Sequence, residues 1–115
     1  MQEKKTTDFF KEDENPWEAV AEGISRQITG FNTDLMMVKV KFKKGAIGYQ
    51  HQHIHSQSSF IASGKFEITI GGKTEILTTG DTFFVQPNII HGAKCIEDGV
   101  LVDVFNPARE DFLSE

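Results

Sequence analysis

From about Val20 onward, apolar and polar residues alternate in short stretches separated by glycines or turn pairs at Gly23, Gly30, Gly45, Gly48, Gly64, Gly71-Gly72, Gly80-Asp81 and Gly99. In MMVKVKF, Met36, Val38, Val40 and Phe42 fall on one face and Lys39 and Lys41 on the other, the period-two pattern of a half-buried strand. KFEITIGGKTEIL predicts a hairpin with Phe66, Ile68 and Ile70 inward and Lys65, Glu67 and Thr69 outward. Its paired glycines supply the positive φ angles that a two-residue turn requires. In GVLVDVF, Val100, Val102 and Val104 share one face, and Leu101, Asp103 and Phe105 share the other. Several short strands at such spacing predict an all-β sandwich or barrel. There is no convincing internal repeat or low-complexity tract, and helical patterning is confined to the terminal pieces. The expected organisation is an N-terminal arm over residues 1–18, charged and poorly patterned, lying on a β-barrel domain over residues 19–113. NPAREDFLSE is expected to leave the last strand as a turn or short helix.

Composition narrows the class. A chain of 115 residues supports one compact domain with one core. Apolar residues at 38% and aromatics at 10% suit a globular fold. The formal charge of -5, with no Lys/Arg cluster, argues against a nucleic-acid partner. No apolar run is long enough for a signal peptide or a membrane span, and the single cysteine, Cys95, has no internal disulfide partner. A cytoplasmic location is expected.

The candidate chemistry begins in GYQHQHIHSQ, which holds three of the four histidines. In an extended segment His51, His53 and His55 project to one side. The alternatives are a polar surface strand and a metal site. His91, at the end of GDTFFVQPNIIH, joins such a site if distant strands face one interior. Asp103 is a carboxylate on an apolar strand face, costly to bury unless something pairs with it or uses it, and so a candidate acid/base. Phe105 stands beside it on that face. Arg109 is placed either to grip a substrate carboxylate or to form an internal salt bridge with Asp103.

The order Gly45, His51-x-His53, Gln57, Gly64, followed by Gly80, Pro87 and His91, resembles the two cupin motifs. The resemblance runs from about Gly23 to Phe112. It implies a single-domain cupin, a small jelly-roll barrel, with His51, His53, Gln57 and His91 holding one divalent ion, Zn, Ni, Mn or Fe. Gln57 departs from the commoner Glu. It offers a carbonyl oxygen without charge, so the ion keeps its full charge, becomes a stronger Lewis acid and anchors an anion well. The same neutral set mildly disfavours redox chemistry. His55 is either a further ligand, a hydrogen-bonding neighbour of the ligands or part of the cavity rim. Cupins commonly pair, which implies a homodimer to which the arm and the Met36–Phe42 strand contribute.

The ending Asp-x-Phe-x-Pro-x-Arg-x-Asp-Phe, from Asp103 to Phe112, resembles the pectin-degradation cupins of the KdgF family, as do ISRQITG and the surroundings of the histidines. Members commonly read His-x-His-Pro-His-Glu-Gln, whereas here Ile54 and Ser56 replace Pro and Glu. The resemblance implies conversion of 4,5-unsaturated monouronates, released by pectate or alginate lyases, to linear 4-deoxy-5-keto uronates. Asp103 would move a proton, Arg109 neutralise substrate charge and Phe105 shape the cavity and exclude water. Arg26 is expected at the surface. Two other classes remain as alternatives: a non-catalytic sugar- or uronate-binding cupin and an iron-dependent dioxygenase.

Overall fold

A computed structural model describes residues 6–113 of the chain. Eight strands follow a short 3-10 turn at Glu12–Glu14: β1 (Glu18–Ala21), β2 (Ile24–Phe31), β3 (Met36–Phe42), β4 (Ile47–His51), β5 (Ser56–Ile70), β6 (Lys73–Thr78), β7 (Thr82–Val85) and β8 (His91–Asn106). A second 3-10 turn, Glu110–Leu113, follows β8, as expected for the C-terminal piece. All pairings are antiparallel, in the order β1-β2-β3-β8-β5-β6, with β4 added to β8 and β7 to β5.

The two long strands make the barrel. β5 has 15 residues and β8 has 16, and they pair along nearly their whole length. The first part of β5 takes β7 as its other neighbour and the second part takes β6. β8 likewise passes from β4 to β3. Each long strand therefore serves two sheet faces and must bend sharply between them. The bend lies where the β5–β8 register shifts between Ile61 and Phe66. Two glycines make it possible. Gly64, at φ 90, has no room for a Cβ, which would stand 2.5 Å from the Asp98 carbonyl oxygen. A Cβ on Gly99 would lie 2.3 Å from the Ser63 carbonyl oxygen. Backbone blocks both, so no rotamer change relieves the overlap. Gly99→Ala is expected to destabilise the protein by about 3 kcal/mol, the upper end for overpacking. A urea-unfolding midpoint equal to that of the parent would contradict this.

The predicted alternation holds. Met36, Val38 and Phe42 are buried, as are Phe66 and Ile68, and the β5–β6 turn uses Gly71 and Gly72 at φ 55 and 82. Ile24, Phe42, Ile61, Phe66, Ile68, Cys95 and Leu101 pack as one core cluster, and Met36, Val38, Phe105 and Ala108 as another. The second cluster holds the floor of the site described below.

The segment from Glu12 to Asn15, ahead of β1, lies on the outer face of β2. Buried Gln27 donates through Nε2 to the carbonyls of Glu12 and Asn15, at 3.0 and 3.1 Å, and Glu12 pairs with Lys39. Trp17 covers Lys41, whose Nζ is 4.1 Å from the ring centroid. β3 is flanked by β2 and β8 and is therefore interior to the sheet. A contribution of β3 to a dimer would therefore be made through its outward face, since the sheet order ends at β1 and β6.

Candidate metal centre and active-site cavity

β4 ends at His51, which pairs in register with His91, the first residue of β8. His53 follows in the connection to β5, where the Asn88 N–H donates to its carbonyl at 2.7 Å and ties this turn to the loop before His91. Asn88 adopts φ 65 to do so, a left-handed conformation that asparagine tolerates. The ring centroids of His51 and His91 are 4.5 Å apart and those of His53 and His91 4.8 Å. One nitrogen from each ring lies within 4.8 Å of the others.

The three rings share one orientation device. His51 Nδ1 is 3.0 Å from the Tyr49 carbonyl, His53 Nδ1 3.1 Å from that of His55, and His91 Nδ1 2.9 Å from that of Ile89. A carbonyl only accepts, so each Nδ1 carries a proton, which leaves Nε2 as the nitrogen able to coordinate a cation. Gln57 Oε1 lies 3.0 Å from His53 Nε2. Burial pushes His53 below the ordinary imidazole range, with the Gln57 contact opposing and the charges of Arg109, His51 and His55 adding. Burial likewise pushes His91 down to about 4, and its buried Nε2 has no hydrogen-bond partner among the described residues. Two acceptors facing each other at 3.0 Å and an orphaned buried nitrogen repel or go unsatisfied unless a cation lies among them. The donor set of three imidazoles and one amide oxygen suits a divalent transition ion.

His55 stands apart. β4 stops at His51 and the chain bends at residues 54–55, so the alternate-residue geometry expected of one continuous strand is not kept. The His55 ring stacks edge-on against His53 and Phe105, at 5.3 and 6.3 Å, and is not one of the three converging histidines.

Polar groups run inward along β5 and β8. Gln57 faces Phe105, and Ser59 faces Asp103, in the β5–β8 register. Gln57, Ser59, Asp103 and Arg109 are only 6%, 2%, 9% and 8% exposed. Gln57 Nε2 donates to Ser59 Oγ at 3.0 Å, and Ser59 Oγ donates to Asp103 Oδ1 at 2.6 Å. Burial raises the Asp103 carboxyl to about 6, with Ser59, Arg109 and Gln57 each pulling it back.

Arg109 does not pair with Asp103. Its Nε and Nη2 grip Asp111 at 3.0 and 2.8 Å, which holds the Asp111 carboxyl below its usual range. The internal Asp103–Arg109 bridge raised as an alternative is absent. Phe112 lies between two guanidinium groups, Arg26 at 3.8 Å and Arg109 at 4.2 Å from its ring centroid. Arg26 also lines the cavity instead of facing only solvent, correcting the surface placement. Its position on β2 between inward Ile24 and Ile28 carried that signal, because a period of two sets it on their face. Ser59 was missed as well, although it has the parity of Gln57.

These side chains open onto a cavity of about 300 Å³. Its lining combines the polar His51, Gln57, His91, Asp103, Arg26 and Arg109 with the apolar Ile24, Val40, Ile47, Phe83 and Leu101. Ligand pockets span about 300–1,000 Å³, so this one suits a single small ring.

The cupin-domain family matches residues 38–105. The chain is 49% identical over 107 residues to the pectin degradation protein KdgF of Dickeya dadantii, covering 91% of this chain and 97% of that protein. An RmlC-like cupin from Shewanella frigidimarina superposes with a TM-score of 0.92 at 45% identity, over 94% of this chain and 97% of that one. KdgF from a Halomonas species gives 0.89 at 39% identity, over 93% and 99%. The barrel, the inward histidines and these matches agree, and the chain belongs to the cupin family, among its KdgF proteins.

Proposed function

We propose that this protein is a metal-dependent enzyme that converts 4,5-unsaturated monouronates from pectin or alginate breakdown to linear 4-deoxy-5-keto uronates. The observation that carries the reading is the junction of two devices in one small cavity. Three Nδ1-anchored histidines and Gln57 converge at one point, and a buried carboxylate poised near neutrality stands two hydrogen bonds from Gln57.

His51, His53, Gln57 and His91 would hold one divalent ion. Such an ion supplies Lewis acidity to a carboxylate or ring oxygen of the sugar. The chain's own residues do the rest. Arg109, stacked on Phe112 and fixed by Asp111, directs positive charge at the cavity and neutralises the uronate carboxylate. Because Asp111 takes one edge of the guanidinium, substrate meets the remaining N–H groups rather than the whole fork. Phe105, edge-on to His53 at 5.7 Å, shapes the cavity floor and excludes water. Asp103 moves the proton. It takes the proton of the C1 hydroxyl as the C1–ring oxygen bond opens, leaving an aldehyde and a C5 enolate. It then returns that proton to C4 as the enolate becomes the ketone, so the reaction is a net isomerisation. A carboxyl with a pKa near the working pH serves both directions.

The same reading includes a homodimer, to which the arm and β3 (Met36–Phe42) contribute, and a cytoplasmic location in keeping with the buried free thiol of Cys95. No helix among the described residues is long and apolar enough to cross a membrane. The deciding assay supplies lyase-generated unsaturated monouronates without oxygen and follows the ultraviolet absorbance of the C4=C5 bond, with NMR of the products. Faster loss with protein supports the reading. An unchanged rate on both pectin- and alginate-derived substrates favours a binding protein, and a requirement for oxygen a dioxygenase. Arg109→Lys is expected to raise KM roughly 10- to 100-fold, the worth of one charge-assisted hydrogen bond of ~1.5–3 kcal/mol, and to change kcat less.

A further inference from the structure

We infer that Ser59 is a positioning residue for the metal centre, setting which end of the Gln57 amide faces the cation; this rests on the reading of Gln57 as a ligand. An amide has two unlike ends of nearly the same shape. Only its oxygen can coordinate a cation, and a half-turn about the last side-chain bond would present NH2 instead. Nothing in the histidine cluster itself prevents that turn.

The hydrogen-bond chain does. Asp103, when ionised, only accepts, so the hydroxyl proton of Ser59 must point at Asp103 Oδ1, 2.6 Å away. The lone pairs of Ser59 Oγ then face Gln57, and only an N–H can satisfy them. Gln57 Nε2 fills that place at 3.0 Å, which leaves Oε1 directed at His53 Nε2, also at 3.0 Å. Reversing the amide would bring its oxygen against the oxygen of Ser59 in a site from which water is excluded, Ser59 being 2% exposed. The strand geometry fixes the chain of bonds in place. Gln57 and Ser59 are alternate inward residues of β5, and Ser59 sits directly across from Asp103 on β8. The outward neighbours on β5 are Ser58 and the half-exposed Phe60, so this segment turns polar groups in and an aromatic out. That inversion costs core burial and is accounted for by the task of aiming one amide.

The inference makes a specific demand. A carboxylate has two like oxygens and needs no such orientation, so Ser59 should matter for cation binding when residue 57 is Gln and not when it is Glu. The experiment loads the full-length protein with zinc ion and measures its affinity by chelator competition in four forms: parent, Ser59→Ala, Gln57→Glu and the double variant. Ser59→Ala should weaken zinc binding about 10- to 100-fold in the parent, the effect typical of losing a group that orients a ligand, and by less than about threefold in the Gln57→Glu background. Equal weakening in both backgrounds, or none in either, overturns the inference. Ser59→Cys keeps a side chain of similar bulk with a weak donor and acceptor, and should show the same background dependence if Ser59→Ala does not fold. Gln57→Ala provides the separate check. If it binds zinc as tightly as the parent, Gln57 is no ligand, and both the ligand assignment and the inference fall.

Discussion

Asp103→Asn is expected to lower turnover on the order of 10² to 10⁴, the loss typical of a general acid/base, while leaving cation and fold in place. It should also make the protein more stable at neutral pH. The unfolded carboxyl titrates near 3.8, and burial raises the folded one to about 6. Below pH 3.8 both states hold the proton and the site costs nothing. As pH rises through 6 the folded state must ionise a group surrounded by protein, so stability is lost with rising pH. The loss is at most about 3 kcal/mol. Asparagine never ionises, and its oxygen still accepts from Ser59. In chelator-treated protein the variant should therefore gain in urea unfolding at pH 8 and show no gain at pH 4. His91 works in the opposite sense: its folded value near 4 against the ordinary 6.5 gives stability that is present above pH 6.5 and lost as pH falls toward 4. The two partly cancel in the parent, so the variant's stability should climb more steeply between pH 4 and 6.5. A variant less stable than the parent at pH 8 would mean that the carboxylate holds the fold together, and the acid/base role would fail with it.

Period-two alternation was enough to assign the inward faces of β3, β5 and β8, because side-chain direction in a strand follows parity alone. That is why Asp103 and Phe105 could be set in the interior from GVLVDVF. It is also why Ser59, which shares parity with Gln57, and Arg26, which shares parity with the apolar Ile24 and Ile28, were within reach. Parity fails where a strand ends. His55 has the same parity as His51 and His53, yet the chain bends after β4, and its ring meets Phe105 instead of joining the cluster. Partner choice was hidden for a different reason. Arg109 had two carboxylates within reach, and the 3-10 turn after β8 brings Asp111 against the guanidinium while Asp103 bonds to Ser59 across the sheet. The turn itself was legible in NPAREDFLSE, but the β5–β8 register that gives Asp103 to Ser59 is not written in any one segment. The hairpin, by contrast, was legible because Gly71-Gly72 carries its turn locally.

His91→Ala is expected to abolish both cation binding and catalysis, whereas Gln57→Glu should keep the cation and lose much of the rate. His91 begins β8, pairs with His51, and presents a buried nitrogen with no partner among the described residues, so its removal deletes a donor and opens the centre to water. Elemental analysis of gently purified protein should fall from about one equivalent to near none, with turnover at the uncatalysed rate. The Gln57→Glu prediction follows from charge. The present donors are all neutral and leave a divalent ion its full charge, which favours an anionic substrate and strong polarisation of the oxygen it holds. A carboxylate at position 57 binds the ion more tightly while cancelling half of that charge, and adds a negative group two hydrogen bonds from Asp103. Substrate affinity and kcat should both drop, by about tenfold or more if the neutralised charge is worth ~1.4 kcal/mol to the transition state. Full metal content with parental kinetics in Gln57→Glu would show that the neutral ligand set is incidental to the chemistry. Full activity in metal-free His91→Ala would remove the metal from the mechanism.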